Sequence, residues 1–172
     1  MNRRLFLQSG LTLGAVAVVS RSVFGSVLDA AADKGTKAGT PAFGKVVKSD
    51  AEWKRLLTPE QYEVTRRQGT EAPYSSPLLK VHSRGVFNCE SCALPVFSSS
   101  TKFESNTGWP SFWKPIDASH VREVVDDSLG ERRTEVRCAR CEAHLGHVFN
   151  DGPPPTGLRY CMNGVAMKFI KV

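Results

Sequence analysis

The five cysteines of this chain fall into two sets with different chemistry. Four of them form two C-x-x-C pairs, Cys89/Cys92 and Cys138/Cys141, while Cys161 stands alone near the C-terminus. Two such pairs can close a tetrahedral four-thiolate site, because each short turn offers two sulfur ligands to one zinc ion. If these four residues hold a metal, Cys161 is the only thiol left to react.

Local disulfides, free thiols or a redox-active pair are the alternatives to a metal site for these four cysteines. A disulfide within a C-x-x-C pair closes a very small ring and therefore adds little constraint. A metal ion would instead join two pairs that are separated by 45 residues in the sequence, where a crosslink restrains the chain most. The spacing therefore favours one zinc ion per chain in a closed, structural site.

An isolated cysteine such as Cys161 is more often a small buried apolar residue than a nucleophile. Arg159 and Asn163 flank Cys161 at two residues on either side, which places the three side chains on one face if the segment is a strand. A guanidinium beside a thiol favours the thiolate. The preceding HLGHVFNDGP segment adds polar groups that could donate protons: His144, His147 and Asp151. These residue types indicate either a reactive Cys/His centre or a buried cysteine.

An aromatic segment, GWPSFWKP, spans residues 108–115 and holds Trp109, Phe112 and Trp113. Most aromatic clusters belong to a hydrophobic core. The glycine and prolines of this segment indicate a fixed loop rather than the centre of a strand, and a rigid aromatic loop can form the apolar wall of a small ligand pocket. In that case we expect Trp109 and Phe112 to contact the ligand.

The N-terminus has the features of an export signal. Arg3 and Arg4 directly precede an uncharged run over residues 5–20, which Arg21 ends. The run is shorter than the ~20 apolar residues of a membrane-spanning helix, but it suits the apolar region of a signal peptide. The RR-x-F-L pattern resembles a twin-arginine signal. We therefore expect residues 1–25 to direct export to the periplasm; the alternative is an uncleaved leader that anchors the protein in the membrane.

The formal net charge of +6 is partly due to this leader. Residues 1–25 hold three arginines and no acidic residue, so the rest of the chain carries 20 basic and 17 acidic residues, a net charge of +3. This mild and evenly mixed charge does not indicate a surface for nucleic acid. We predict that the protein does not bind nucleic acid.

Two short helices are predicted at the start of the folded domain. Residues 26–48 are rich in Ala, Gly, Lys and Thr without apolar periodicity, which indicates a mobile linker. The domain then covers residues 49–172. Ser49 and Thr58 are the predicted N-caps of the helices, and Pro59 lies in the first turn of the second helix.

Short β-prone segments follow the helices and are separated by Gly, Pro, Ser and Asn. Several of them alternate polar and apolar residues, as half-buried antiparallel strands do. Residues 127–130 lie between two of them and predict a hairpin turn. The predicted fold class is mainly antiparallel β (α+β), a small β-barrel-like domain with two short N-terminal helices and a structural zinc site. The predicted strands are 85–87, 95–97, 121–125, 133–137, 147–149 and 165–170.

Five motifs, in this order along the chain, closely resemble those of the B-type methionine sulfoxide reductases. They are LTPEQYEVTRRQGTEAPYS, CESCALPVF, TKFESNTGWPSFWKP, CARCEAHLGHVFNDGP and RYCMNG, and the resemblance covers residues 53–170. It implies a mostly antiparallel β fold with a four-cysteine zinc site. It also implies reduction of the R epimer of methionine sulfoxide, with oxidised proteins or peptides preferred as substrates.

The resemblance further implies roles for individual residues. Cys161 matches the nucleophile, His147 the catalytic histidine, Asp151 a nearby acid and Trp109 the tryptophan that packs against the methyl group of the sulfoxide. Attack by Cys161 would release methionine and leave a sulfenic acid, while His147, assisted by Asp151, donates to the oxygen. The remaining matches are Asn163 as a catalytic residue, Arg159 and His144 among the substrate-binding residues, and Cys89, Cys92, Cys138 and Cys141 as the zinc ligands.

Thr107 departs from the family pattern, since many relatives have a resolving cysteine immediately before the Gly-Trp pair. With four cysteines on zinc, no thiol remains in the chain to form a disulfide with Cys161. The expected reductant is therefore an external thiol, from a thioredoxin-like protein or a small molecule. A second departure is Gly164, where serine is common in the family, and we expect no loss of function from it.

Two other classes of function fit part of the sequence. A zinc-ribbon binding module could hold a peptide or nucleic acid with its aromatic loop, but the low charge argues against nucleic acid and Cys161 would have no purpose. A thiol-dependent enzyme could instead act on a disulfide or a peroxide. Turnover of the R epimer alone, dependent on Cys161, would distinguish the reductase from both. The expected oligomeric state is a monomer.

Overall fold

The computed structural model describes residues 43–172. The predicted export signal over residues 1–25 lies outside the described residues, as do residues 26–42 of the predicted linker. In the part of the chain that is described, no helix is both long and apolar enough to cross a membrane.

The last residues of the predicted linker, 43–48, pack against the domain. The amide of Val46 donates to the carbonyl of Arg140 at 2.8 Å, and the ammonium of Lys45 donates to the carbonyl of Ala139 at 2.7 Å. Phe43 and Val46 also pack against the hydrophobic core. The folded unit therefore begins before the boundary that composition indicates.

Two short helices open the domain, and each begins with a capping box. In α1 (Asp50–Leu56), the Ser49 side chain accepts from the amide of Glu52, and the Glu52 carboxylate accepts from the amide of Ser49. α2 (Pro59–Arg67) repeats the arrangement with Thr58 as its N-cap. Each box satisfies amides that have no partner within the helix. Both predicted N-caps are confirmed.

The described residues form nine strands: β1 (Gly85–Cys89), β2 (Pro95–Ser98), β3 (Lys102–Phe103), β4 (Ser111–Phe112), β5 (Val121–Asp126), β6 (Arg133–Cys138), β7 (His144–Phe149), β8 (Arg159–Met162) and β9 (Met167–Lys171). They pair into two antiparallel sheets, one of three strands in the order β2-β1-β9 and one of six in the order β3-β4-β8-β7-β6-β5. The predicted mainly antiparallel class is confirmed. Within the described residues the sheets stay open and do not close into a barrel, so the barrel-like expectation is corrected.

The predicted strands are all present, although two of them start elsewhere. β7 begins three residues earlier than predicted, at His144, and β9 begins at Met167, because residues 164–166 form a 3-10 turn. The predicted hairpin turn at 127–130 connects β5 to β6, which pair antiparallel over their full length. Strands of two residues, such as β3 and β4, are too short to show a pattern in sequence.

The core lies between the two sheets and is rich in phenylalanine. Phe87 on β1 and Phe97 on β2 come from the smaller sheet, and Phe112 on β4 comes from the larger one; all three are fully buried. Their ring centroids lie 4.9 Å apart for Phe87 and Phe112, and 4.5 Å apart for Phe97 and Phe112. These contacts hold the sheets together beneath β4 and β8.

Candidate active site

One row of side chains crosses the six-stranded sheet and brings Cys161 and His147 together. Cys161 on β8 pairs with Ser111 on β4 and with His147 on β7. His147 in turn pairs with Glu135 on β6. Directly paired residues of antiparallel strands point to the same face of the sheet, with Cβ atoms roughly 4.5–5.5 Å apart. The predicted nucleophile and the predicted catalytic histidine are therefore neighbours.

A cavity of about 150 Å³ opens at this row. It is smaller than the roughly 300–1,000 Å³ of sites for drug-sized ligands, and it suits a single amino-acid side chain. The structure thus gathers four predicted site residues around one space: Trp109, His147, Cys161 and Asn163. The other lining residues are Thr70, Arg133, Gly146 and Phe149.

Gly146 allows β7 to approach β8 closely at the cavity. A Cβ atom at this position would lie 2.1 Å from the carbonyl oxygen of Cys161 and 2.9 Å from the Cα of Met162. Both atoms belong to the backbone and cannot move aside alone. Gly146 therefore sets the distance between β7, which carries His147, and β8, which carries Cys161.

Hydroxyl groups surround the sulfur of Cys161. The Thr107 Oγ1 atom lies 3.7 Å from the Cys161 Sγ atom. The Ser105 hydroxyl lies 2.9 Å from that of Thr107 and 2.7 Å from that of Ser111, which forms a continuous chain of hydroxyls. Burial raises the pKa of the Cys161 thiol, although Thr107, Arg159 and Ser111 act in the opposite direction. The Arg159 guanidinium thus favours the thiolate as expected, but burial has the larger effect on the pKa of Cys161.

Arg159 forms an ion pair with Asp151. Its Nε and Nη2 atoms donate to the two carboxylate oxygens of Asp151 at 2.9 and 2.8 Å. Its guanidinium also stacks over the ring of Phe149, 4.4 Å from the centroid. The guanidinium holds the pKa of Asp151 below its usual value. The structure thus makes Arg159 and Asp151 a pair that supports the wall formed by Phe149, and it does not join Asp151 to His147.

The acidic partner of His147 is Asp126, at the end of β5. The His147 Nε2 atom lies 2.7 Å from the Asp126 Oδ2 atom. The same oxygen accepts from Nη2 of Arg133 at 2.6 Å, and the other oxygen accepts from the amide of Ser128 at 3.0 Å. Hydrogen bonds from Ser128, His147 and Arg133 hold the pKa of Asp126 well below its usual value. The side chain is therefore an anion that orients the imidazole.

His144 lies behind the cavity and does not line it. Its side chain is buried, and Nδ1 lies 2.7 Å from Oε1 of Glu135. Burial lowers the pKa of His144, although Glu135 acts to raise it. The His144 and His147 rings meet at a centroid distance of 5.4 Å. His144 therefore lies against the His147 imidazole and outside the lining of the cavity.

Glu71 connects three parts of the site, although sequence patterns gave no reason to select it. Its carbonyl accepts from Nε1 of Trp109 at 3.2 Å, and its amide donates to Oδ1 of Asn163 at 3.1 Å. Its buried carboxylate accepts from the amides of Gly164 and Val165 at 2.7 and 2.8 Å. The residue thereby fixes the indole that lines the cavity, the Asn163 amide and the turn after β8.

Phe112 does not reach the cavity. It is fully buried in the core between Phe87 and Phe97, on the opposite side of its strand from Ser111. Phe149, which the sequence analysis did not select, is the phenylalanine that lines the site with Trp109. The expectation that Phe112 binds substrate is therefore corrected, because alternation along β4 sends it inward.

The four remaining cysteines meet at the junction of two hairpins, far in sequence from Cys161. The first C-x-x-C pair forms the turn between β1 and β2, and the second forms the turn between β6 and β7. The two turns have the same geometry. In each, the residue after the second cysteine, Ala93 or Glu142, has a positive φ of about 60° and donates its amide to the carbonyl of the first cysteine at 2.8 or 2.9 Å.

The donor set and its spacing fit one tetrahedral zinc ion. The four Sγ atoms all lie within 4.8 Å of one another. Sulfur atoms of Cys89 and Cys141 are 3.7 Å apart, and those of Cys92 and Cys138 are 3.5 Å apart. Four sulfurs at about 2.3 Å from one zinc ion would be separated by about 3.8 Å. The quartet could therefore hold a metal that links the smaller sheet to the larger one.

Comparison with known proteins decides the family. The model of the SelR domain matches residues 57–171. A peptide methionine sulfoxide reductase MsrB of Pseudomonas syringae is 55% identical over 126 residues, which are 73% of this chain and 96% of that protein. The chain belongs to the family of MsrB-type peptide methionine sulfoxide reductases. The resemblance noted in the sequence is thus confirmed.

Other MsrB relatives give the same result. The MsrB proteins of Herminiimonas arsenicoxydans and Methanosarcina mazei are 50% and 52% identical, over 73% and 76% of this chain and 91% and 93% of theirs. The family reduces methionine sulfoxide, so this member is an oxidoreductase. Among solved structures, the 'Yippee-like' domain of Mis18 matches 52% of this chain and 98% of its own at 19% identity, with a TM-score of 0.42.

The half-buried thiol of Cys161 predicts how this MsrB member reacts with an alkylating agent. Burial raises the pKa of the Cys161 thiol above its ordinary value. Alkylation by iodoacetamide should accelerate as the pH rises, with a midpoint above the ordinary thiol value of about 8.5. Mass spectrometry of the Cys161 peptide measures the rate, and Cys161→Ser gives the background of the other cysteines. A midpoint below the ordinary value would mean that Arg159 outweighs burial.

Proposed function

We propose that the protein reduces the R epimer of methionine sulfoxide, preferentially in oxidised proteins, through a sulfenic acid on Cys161. The observation that carries the proposal is the cavity of about 150 Å³ that Cys161 shares with His147, Asn163 and Trp109. It combines a nucleophile, a proton donor and an apolar wall in a space the size of one side chain. Each is needed to hold a sulfoxide and attack its sulfur.

The reaction transfers one oxygen atom and two electrons. The deprotonated sulfur of Cys161 attacks the sulfur of the sulfoxide and forms a transient S–S bond. The oxygen then passes to Cys161, while the S–O bond to the substrate and the transient S–S bond both break. The thiol proton, carried by His147, ends on that oxygen, so the products are methionine and a cysteine sulfenic acid. Asp126 holds the imidazole for this transfer through the 2.7 Å contact at Nε2.

Trp109 and Phe149 supply the apolar side of the site. The indole of Trp109 is fixed by its hydrogen bond to the Glu71 carbonyl, and Phe149 is held by the guanidinium of Arg159. A methyl group against these rings places the sulfoxide oxygen on the polar side, near His147. The sulfur must also face Cys161. Only one of the two epimers can then place its methyl group on the apolar side and its oxygen on the polar side, and this difference is the basis for the selection of one epimer.

Regeneration requires a thiol from outside the chain. Thr107 is the residue nearest to Cys161 in the loop before Trp109, and the other four cysteines of the sequence form the quartet. The sulfenic acid therefore reacts with two external thiols, which become a disulfide while oxygen leaves as water. A thioredoxin-like protein or a small thiol can supply them. Until these thiols react, the sulfenic acid can form hydrogen bonds with the chain of hydroxyls beside it, from Thr107, Ser105 and Ser111.

An assay with separated epimers tests the proposal. The intact protein with dithiothreitol should consume the R epimer of N-acetylmethionine sulfoxide and leave the S epimer unchanged, and Cys161→Ser should consume neither. A methionine-containing peptide oxidised to the same epimer should react faster than the free amino acid. Equal activity of the Cys161→Ser variant, or equal use of the two epimers, would overturn the assignment.

The variant Thr107→Cys should convert the reaction to one with an internal disulfide. The Thr107 oxygen already lies 3.7 Å from the Cys161 sulfur, so a small shift of the loop reaches the S–S bond length of about 2.05 Å. After one equivalent of the R epimer and no reductant, the variant should lose two thiols and resist labelling by dimedone. The wild type and the control Thr107→Ser should instead label at Cys161. Dimedone labelling of Thr107→Cys at the wild-type level would contradict this geometry.

The quartet of Cys89, Cys92, Cys138 and Cys141 is assigned one structural zinc ion per chain. Supporting this are four sulfurs within 4.8 Å of one another at the ends of two matched turns. All four ligands come from the protein, so the ion would stabilise the junction of the sheets and leave no position for substrate. When bound, it supplies fixed positions for four thiolates.

Export through the twin-arginine route is the proposed localisation. Its support is the pattern in residues 1–25, where Arg3 and Arg4 precede an uncharged run that Arg21 ends. The route, as generally understood, moves folded proteins, which suits a metal-stabilised domain. Cell fractionation should find the full chain in the periplasm and the Arg3→Lys/Arg4→Lys variant in the cytoplasm. A variant that is exported as well as the wild type would exclude this signal.

A further inference from the structure

We propose that Arg133 binds the sulfoxide oxygen and stabilises the negative charge that develops on it when Cys161 attacks. The proposal rests on the methionine sulfoxide reductase function given above. It assigns a catalytic role to a residue that the sequence analysis did not select.

Arg133 stands at the correct place for this role. It is the first residue of β6, and it lines the cavity together with Cys161, His147 and Trp109. Its side chain is 25% exposed, so the charge is largely shielded from bulk water. A fixed cation at a partly dry site stabilises developing negative charge far more than the same cation would in water.

Most donors of the Arg133 guanidinium remain available. An arginine side chain has five N–H groups. Among residues 43–172, the only acceptor that Arg133 contacts is Oδ2 of Asp126, through Nη2 at 2.6 Å. Its Nε atom is buried and has no acceptor among these residues. The ion pair with Asp126 thus holds the guanidinium in place without using up its donors.

The other polar groups at the cavity are already engaged or uncharged. Nε2 of His147 contacts Asp126, the same anion that holds Arg133. The Asn163 amide accepts from the amide of Glu71 and donates to the carbonyl of Leu145. The hydroxyl of Thr70 is a neutral donor. Arg133 is therefore the one cation among the lining residues with donors left for an anionic oxygen.

Arg133 and His147, which both contact Asp126, have different roles toward the sulfoxide oxygen. The sulfoxide oxygen carries partial negative charge before the reaction, and attack at sulfur pushes an electron pair further onto it. Arg133 meets that charge with hydrogen bonds and keeps its own proton throughout, since arginine does not deprotonate in proteins. The proton that the sulfenic oxygen finally carries comes from the thiol through His147. No oxidant or reductant beyond the thiol and the sulfoxide is required.

Single-turnover oxidation of Cys161 by the R epimer tests the proposal without any reductant. Arg133→Ala should slow this step by about 10²–10³-fold, the cost of losing one donor to an oxyanion. Arg133→Lys keeps a cation and the partner of Asp126, so it should recover part of the rate. The matched control is Arg132→Ala, which removes an exposed arginine one residue away and should stay within about twofold of the wild type.

Alkylation of Cys161 by iodoacetamide separates charge stabilisation from a structural role. This reaction uses the same thiol but has no oxygen to stabilise, so its rate and the melting temperature should change little in Arg133→Lys. Sulfoxide reduction by Arg133→Ala at the wild-type rate would overturn the proposal. So would an equal loss in alkylation and reduction by Arg133→Lys. A wild-type protein that reduces neither epimer would instead refute the proposed function itself.

Discussion

Replacing Cys138 with serine is expected to lower the zinc content from one ion per chain to near zero and the melting temperature by more than about 10 °C. Serine is a poor zinc ligand, and three thiolates cannot close the tetrahedral site. The quartet joins the β1–β2 turn to the β6–β7 turn, so its loss releases the two sheets from each other at that end. Metal analysis and calorimetry measure the two effects.

The matched control for this prediction is Cys161→Ser, which makes the same replacement of sulfur by oxygen at a cysteine outside the quartet. It should keep full zinc content and the wild-type melting temperature while losing activity. A Cys138→Ser protein that keeps its metal and its stability would contradict the assignment. Zinc-free native protein, with C-x-x-C pairs that cycle between thiol and disulfide, would contradict it as well.

The variant Gly146→Ala is expected to lose at least about 100-fold in reductase activity, because a displacement of about 1 Å at reacting groups can cost that much. The new Cβ would lie 2.1 Å from the carbonyl oxygen of Cys161, so β8 must move away from β7. Overpacking of this kind also costs about 1–3 kcal/mol of stability. Turnover of the R epimer and chemical unfolding measure the two losses.

Gly44→Ala provides the comparison for Gly146→Ala, since a Cβ at residue 44 meets no atom within 4 Å. It should match the wild type in both activity and stability. Full activity of Gly146→Ala would show that β7 and β8 tolerate a wider spacing. The close approach of these two strands would then not be required for catalysis.

The parts of the fold that sequence predicted are those with local signals. Ser49 and Thr58 precede short amphipathic segments, and their capping boxes form as expected. β5 and β6 are β-prone segments on either side of a recognisable turn, so the hairpin could be predicted. The order of the strands could not be, because the pairing of β4 with β8 joins residues that are about 50 positions apart.

Gly164 shows how a departure from a family pattern can have a structural reason. A Cβ at this position would lie 1.8 Å from the Oγ atom and 2.6 Å from the Cβ atom of Ser76. The space that a serine at residue 164 would need is therefore occupied by the side chain of residue 76. The contact joins two loops that are far apart in the sequence, so neither loop alone indicates it.

Site residues could be predicted from the sequence where the residue type itself is reactive. They were missed where only their contacts in the fold identify them. Cys161 and His147 stand out because thiols and imidazoles are rare and reactive, and the structure places them on paired positions. The family resemblance implied that Asp151 assists His147, yet Asp151 pairs with Arg159, while Asp126 reaches the histidine across the sheet. Asp126 pairs with Arg133 in the β5–β6 hairpin. The register of this hairpin was the one sequence signal that could have brought Asp126 to attention.

The hydroxyl of Thr107 beside the sulfur of Cys161 bears on how the proposed reaction cycle ends. If Cys161 reduces the sulfoxide as proposed, its sulfenic acid must wait for external thiols, because a hydroxyl cannot form a disulfide with it. In surroundings poor in such thiols, each copy of the protein would then restore one damaged side chain. The repair capacity would therefore be determined by the supply of thiols.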